Sequence, residues 1–305
     1  MAFYSPDGAM SEILTQLVAR LEAEGRDGLR DDLSITWVSV ERPSADLDLQ
    51  GWALRGASHG GERLRYPASV IKLVYLIATE VWLQRGLLRE EPELRRALAA
   101  MIQDSSNDAT GYVVDRLSGT TSGPALRPDP MQAWERQRQL VNDWLHSLDW
   151  PELEGCNACQ KTWGDGPYGR ERIFYGENLE NRNRLSTDAT ARLLQGVMAS
   201  ELVSPPACSR MQGLLRRSLE AEDRARDPEN QVDGFLGAGL PLEARLWSKA
   251  GWMSAARHDA AYVEPQDGPP FLLVVMAEGQ RCAADTTLLP EIARALLEAN
   301  GRSQP

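Results

Sequence analysis

The chain has 305 residues, a net charge of −11 and 42% hydrophobic residues. That suffices for one large or two modest domains with a buried core. So acidic a surface repels phosphate backbones and anionic lipid, which sets nucleic acid and membranes aside as partners.

The first 25 residues lack a basic start and an apolar run. Ile13, Leu14, Leu17, Val18 and Leu21 recur with helical period, which predicts an amphipathic helix and not a leader, and hence a cytoplasmic location; the chain is expected to be a monomer. Residues 33–40 alternate and are β-rich, and residues 48–55 are expected to pair with them as a hairpin. After a turn-rich stretch, residues 69–86 are apolar on nearly every face, so this helix is expected in the interior, ending at Gly86. Helices are predicted over 91–103, 105–117 and 131–148, with a loop over 118–130. Residues 150–183 are rich in Gly, Pro, Asn and aromatics and read as a long irregular loop, a kind that is usually functional or disordered. A helix capped by Ser186 runs to about 200, and another covers 206–223. Three strands follow within 246–279, then a closing amphipathic helix.

The fold class is therefore α+β. Residues 1–65 and 225–305 form a sheet-containing domain, an antiparallel sheet flanked by helices in three layers. Residues 66–224 form a helical lobe that includes the irregular segment 150–185. A site belongs in the cleft between the two.

Scarcity directs attention to a few side chains. Only three of the 33 basic residues are lysines: Lys72, Lys161 and Lys249. Arg stays protonated, whereas a buried Lys can act as a base. Lys72 follows Ser69 by three residues, so both lie on one helix face near its start. The helix N-terminus favours negative charge developing at Ser69, and a desolvated Lys72 is suited to take the hydroxyl proton. The alternative is an N-cap serine with a surface lysine. Ser105-Ser106-Asn107 is weak alone, since it also suits a cap. Lys249-Ala250-Gly251 places a lysine in a strand, with a glycine that allows backbone N–H groups to approach a carbonyl oxygen. His59, His146 and His258 are the only histidines, and no G-x-S-x-G elbow accompanies them. Cys156 and Cys159 form a lone C-x-x-C without the second pair a zinc site requires, so they are read as buried or loop thiols.

S-x-x-K, S-x-N and K-x-G in this order resemble the signature of class A β-lactamases and penicillin-binding proteins. Supporting matches are Tyr66-Pro67 before the serine, Gly239-Leu240-Pro241 before the lysine strand, and the Ser186-Thr187 helix entry. The resemblance spans most of the chain from Leu33 and implies a β-lactamase-like fold. It implies that Ser69 is acylated, that Lys72 activates it and that Ser105 relays a proton to the leaving nitrogen. Asn107 binds the substrate amide, Lys249 sets the electrostatics, and the backbone N–H groups of Ser69 and Trp252 form the oxyanion hole beside Gly251. For the deacylating carboxylate the resemblance points to Glu177, in Glu177-Asn178-Leu179-Glu180-Asn181, with Glu180 as a lesser candidate. Three departures stand out. Ser106 replaces the usual Asp, Ala250 replaces a hydroxyl residue, and bulky Trp252 is expected to narrow the pocket. The expected activity is hydrolysis of an amide or β-lactam bond in a small molecule through an acyl-enzyme, with no cofactor and no metal. The alternatives are an amidase, peptidase or transacylase on another metabolite, and a catalytically silent binding protein.

Overall fold

A computed structural model describes residues 3–41 and 53–302. In chain order the strands are β1 (Ser5–Pro6), β2 (Leu33–Glu41), β3 (Ala53–His59), β4 (Arg216–Arg217), β5 (Arg245–Met253), β6 (Ala256–Glu264) and β7 (Phe271–Glu278). The helices are α1 (Gly8–Ala23), α2 (Leu29–Asp32), α3 (Ile71–Gln84), α4 (Pro92–Ile102), α5 (Asn107–Ser118), α6 (Pro128–Arg138) and α7 (Leu140–Ser147). They continue with α8 (Gly169–Tyr175), α9 (Thr187–Met198), α10 (Pro205–Leu215), α11 (Ala221–Arg226), α12 (Gln280–Ala284) and α13 (Leu288–Arg302).

One seven-stranded sheet has the order β1-β3-β2-β7-β6-β5-β4. The two ends of the chain meet in its middle, where β2 and β7 pair antiparallel with Leu33 opposite Ala277. The sheet is mixed, because β1 runs parallel to β3. The expected hairpin partner of β2 is displaced: β3 begins at Ala53 and pairs as far as His59, into the stretch read as turn. The start of that partner, residues 48–52, lies outside the described residues.

Strand alternation divides the core between the two sheet faces. On one face, Val38, Ala260, Tyr262, Val274 and Met276 pack with α3 and α9; on the other, Trp37, Ala261, Leu273 and Val275 pack with α1 and α13. Helix α1 buries Met10, Leu14, Leu17, Val18 and Leu21, and Asp7 Oδ1 caps it by accepting from Met10 N–H at 3.0 Å. Every residue from Ile71 to Trp82 of α3 is buried. A helix surrounded by protein needs apolar side chains all round, which is the pattern seen. Gly86, with φ +70°, follows its end. No helix among the described residues is long and apolar enough to cross a membrane.

Two helices differ from expectation. The stretch 131–148 is broken at Gln139 into α6 and α7, and the Gln139 amide donates to Asn181 Oδ1 instead of lying on a continuous helix surface. The stretch 206–223 stops at Leu215, because Arg216 and Arg217 join the sheet opposite Trp247 and Leu246. Arg217 Nη2 donates to Ile102 O (2.8 Å) and Ser248 O (3.0 Å), which holds the chain extended there.

Residues 150–183 are only partly irregular. Residues 156–162 are buried as a strap, and α8 follows. Asn183 clamps the strap: its Oδ1 accepts from Cys159 N–H (3.1 Å) and Gln160 N–H (2.9 Å), and its Nδ2 donates to Gln160 O (2.9 Å). The loop resisted sequence reading because side-chain amides, not a periodic apolar pattern, satisfy its backbone. Cys156 and Cys159 are buried thiols, pushed up to about 11 and about 12 chiefly by desolvation.

Candidate active site

Ser69 sits in a 3₁₀ turn, Ala68–Val70, that leads into α3. Ala68 adopts φ +46°, a left-handed conformation that costs an L-residue roughly 1–2 kcal/mol. Surrounding structure holds it there. His258, fully buried on β6, accepts from Ala277 N–H at Nδ1 (3.0 Å), so its Nε2–H donates to Tyr66 O (3.0 Å). Burial lowers this imidazole to about 4, so it stays neutral and serves as a peg between the sheet and the turn. Ser69 itself is half-buried.

Lys72, one turn on, is 0% exposed. Its Nζ donates to the Ser105 carbonyl and to Asn107 Oδ1 (2.9 Å) and lies 3.2 Å from Ser105 Oγ. All three partners are neutral, and burial alone pulls its ammonium from 10.5 to about 7. A displacement of that size is on the order of 5 kcal/mol in favour of the neutral amine.

Ser105 is presented by a second left-handed residue, its own φ being +53°. This turn directs both its carbonyl and its hydroxyl to Lys72. The next residue, Ser106, caps α5 by accepting from Ala109 N–H at 3.1 Å, which accounts for a hydroxyl at the motif's middle position. Asn107 is the first residue of α5.

Lys249 approaches Ser105 from β5. It is 1% exposed, and its Nζ donates to Gln231 Oε1 (2.5 Å) and Ala250 O (2.7 Å) and lies 3.0 Å from Ser105 Oγ. Desolvation, then the charges of Lys72 and Arg217, hold its ammonium well below the usual lysine range, with Asp259 opposing. Two buried lysines therefore converge on one serine oxygen.

Gly251 brings β5 against the Ser69 turn. A Cβ there would lie 2.9 Å from Pro67 O, 2.9 Å from Ser69 N and 3.0 Å from Val70 N, all backbone atoms that cannot give way. Ala250 N–H points away from β6, toward Gln231 Oε1 at 3.2 Å. By the two-residue period of a strand, Trp252 N–H faces the same edge. The Ser69 turn packs against β5 at the preceding residue, Gly251, and paired backbone donors are what an oxyanion requires. A Gly251→Val variant is expected to lose roughly 100-fold in acylation rate, the worth of a displaced oxyanion donor. Stopped-flow acylation with a chromogenic cephalosporin measures it.

Two expectations about side chains need correction. The Trp252 ring does not narrow the pocket: strand parity sends it to the other sheet face, where it is 62% exposed and Nε1 donates to Ala283 O at 3.4 Å. Glu177 is not brought to the cluster either. It is exposed on a surface depression shared with Gln132, Glu135, Arg136 and Gln139, none of which belongs to the Ser69 cluster. Glu180 is exposed and bonds its own loop through Asn178. The segment that does lie against α3 and α5 is the strap. Tyr75 OH, one turn beyond Lys72, donates to Gln160 O (2.6 Å), and the Lys161 chain lies over Gly111, one turn beyond Asn107. Lys161 Nζ turns away to Asp115 Oδ2 (2.7 Å) and Ser122 Oγ (2.7 Å).

Sequence reading missed Gln231, which lies outside every motif and contacts both Lys249 and Ala250. No local signal marks it.

This sheet, its helical lobe and the serine–lysine cluster between them are the architecture of the β-lactamase-like serine hydrolases. The chain belongs to the beta-lactamase enzyme family, whose model matches residues 81–299. That match begins after Ser69 and Lys72, so the cluster is not merely a restatement of it. Among solved structures, the chain is similar to a beta-lactamase from Sphaerobacter thermophilus, with 18% identity, TM-score 0.63, and coverage of 95% of this chain and 99% of that one. It is similar to PBP-A at 18% identity and TM-score 0.62, covering 98% of each chain. A PBP-A mutant solved as an acyl-enzyme complex with penicillin G matches at 17% identity and TM-score 0.63, over 96% of this chain and 97% of that one. At these identities the likeness is one of fold. No curated protein matches the chain significantly.

Proposed function

We propose that the protein is a serine hydrolase that cleaves an amide bond of the β-lactam type through an acyl-enzyme on Ser69. The observation that carries this reading is the buried Lys72, surrounded by neutral partners and set one helical turn from Ser69. Neutral Lys72 takes the Ser69 proton as Oγ attacks the carbonyl carbon. The oxyanion is held by the N–H groups of Ser69 and Trp252. Asn107 orients the substrate amide. On collapse the C–N bond breaks, the leaving nitrogen takes the Ser105 hydroxyl proton, and Ser105 is restored from the Lys72 ammonium. Water then releases the acyl group.

The site favours acylation over release. Among the described residues the polar partners of Lys72 are Ser105 and Asn107 and no carboxylate, and two carboxylates beside the strap are committed elsewhere. Asp115 and Glu171 pair with Lys161 and Arg138. An adduct that persists is therefore the expected behaviour with penicillin G. This also supports the second reading, transfer of the acyl group to a nucleophile of another metabolite. The test is intact-mass spectrometry over time after mixing with benzylpenicillin. A Glu177→Gln variant is expected to match the wild type in both adduct formation and decay. A trapped adduct in that variant alone would return Glu177 to the mechanism.

A further inference from the structure

Gln231 precedes β5 in a loop and is 6% exposed. Both ends of its amide are engaged. Nε2 donates to Ile102 O (2.9 Å) and Gln103 O (2.8 Å), carbonyls just before the Ser105 turn. Oε1 accepts from Lys249 Nζ (2.5 Å) and Ala250 N–H (3.2 Å). One side chain thus ties the strand carrying Lys249 to the segment that presents Ser105.

The chemistry of the Lys249 amine gives this link a consequence. A neutral amine has two N–H bonds and one lone pair. Two of its neighbours, Gln231 Oε1 and Ala250 O, can only accept, so they take the two N–H bonds. The third neighbour, Ser105 Oγ at 3.0 Å, is a hydroxyl able to donate. We propose that Gln231 is a positioning residue that turns the Lys249 lone pair onto the Ser105 hydroxyl.

The proposal deepens the Ser69 acylation reading and rests on it. With its hydrogen held toward Lys249, Ser105 Oγ presents a lone pair to Lys72 Nζ, 3.2 Å away. As the C–N bond breaks, the Ser105 hydroxyl turns from Lys249 to the leaving nitrogen and gives it its proton, and the proton taken from Ser69 passes from Lys72 to Ser105. The Ser69 O–C bond forms, the C–N bond breaks, and both lysines and Ser105 end as they began. An amide suits position 231 because a carboxylate would pair with Lys249 and hold it as an ammonium, leaving no lone pair. The charged groups facing Lys249 are Lys72 from α3, Arg217 from β4 and Asp259 from β6.

The chain has three lysines, so labelling lysine with ¹³C at Cε yields three signals that can be titrated by NMR. In Gln231→Glu the Lys249 signal is expected to titrate at higher pH than in the wild type. In Gln231→Met, of similar size but without the acceptor, Ser69 acylation by benzylpenicillin is expected to slow roughly tenfold, the worth of one hydrogen bond to a proton-transferring group. Its pH midpoint should remain at about 7, the value set by Lys72. A Lys249 titration unchanged in Gln231→Glu, or wild-type acylation in Gln231→Met, overturns the proposal. If benzylpenicillin fails to acylate the wild type, the acylation reading fails, and the NMR titration still decides whether residue 231 governs Lys249.

Discussion

Acylation with benzylpenicillin rises with pH through a midpoint of about 7 and is flat by about pH 9, because Lys72 must be neutral to accept the Ser69 proton. The sign follows from burial. Desolvation penalises the ammonium, lowers its pKa and populates the base near neutrality. An exposed lysine would give a rate still climbing toward pH 10. Lys72→Ala removes the base and leaves Ser105 and Asn107 facing a void, with an expected loss of roughly 100- to 10,000-fold in acylation rate. Lys72→Arg restores bulk but stays protonated and cannot accept the Ser69 proton, so it is expected to fail as badly. Single-turnover kinetics across pH 5 to about pH 10 separate these cases.

Ser69→Ala abolishes the covalent adduct. Ser105 does not replace it, since its Oγ is engaged with both lysine amines. The loss is in chemistry and not in fold: Ser69 is half-buried in a turn held by the His258 peg and the close contact with Gly251. The variant should therefore melt near the wild-type temperature and still bind substrate, while its acylation falls to background.

How far the sequence discloses this depends on the kind of information each residue carries. The uniformly apolar helix after Ser69 was legible because burial on all sides leaves no polar face to write. The pairing of Ser69 with Lys72 was legible because helical spacing is local. Lys72 and Lys249 stood out in a chain that otherwise supplies positive charge as Arg. That both reach Ser105, which is 33 residues from one and 144 from the other, is a tertiary fact. Glu177 looked suitable because its neighbours matched a short pattern. The segment that lies against α3 and α5 is instead residues 156–162, fixed by the side chain of Asn183, which no periodicity announces. The Trp252 ring was assigned to the pocket from its position beside Gly251. Strand alternation, counted from Gly251 against the Ser69 turn, sends it to the opposite face. Gln231 is the clearest case of missing signal: a glutamine in a polar loop gains meaning only once Lys249 and the end of α4 lie on either side of it.

The most direct test of the central claim is peptide mapping by mass spectrometry after a brief reaction of the wild-type protein with benzylpenicillin at about pH 8, where Lys72 is largely neutral. The account predicts one penicilloyl group, carried by the peptide that contains Ser69 and absent from Ser69→Ala. An adduct on any other residue, or an unmodified Ser69 with neither adduct nor turnover, would contradict it.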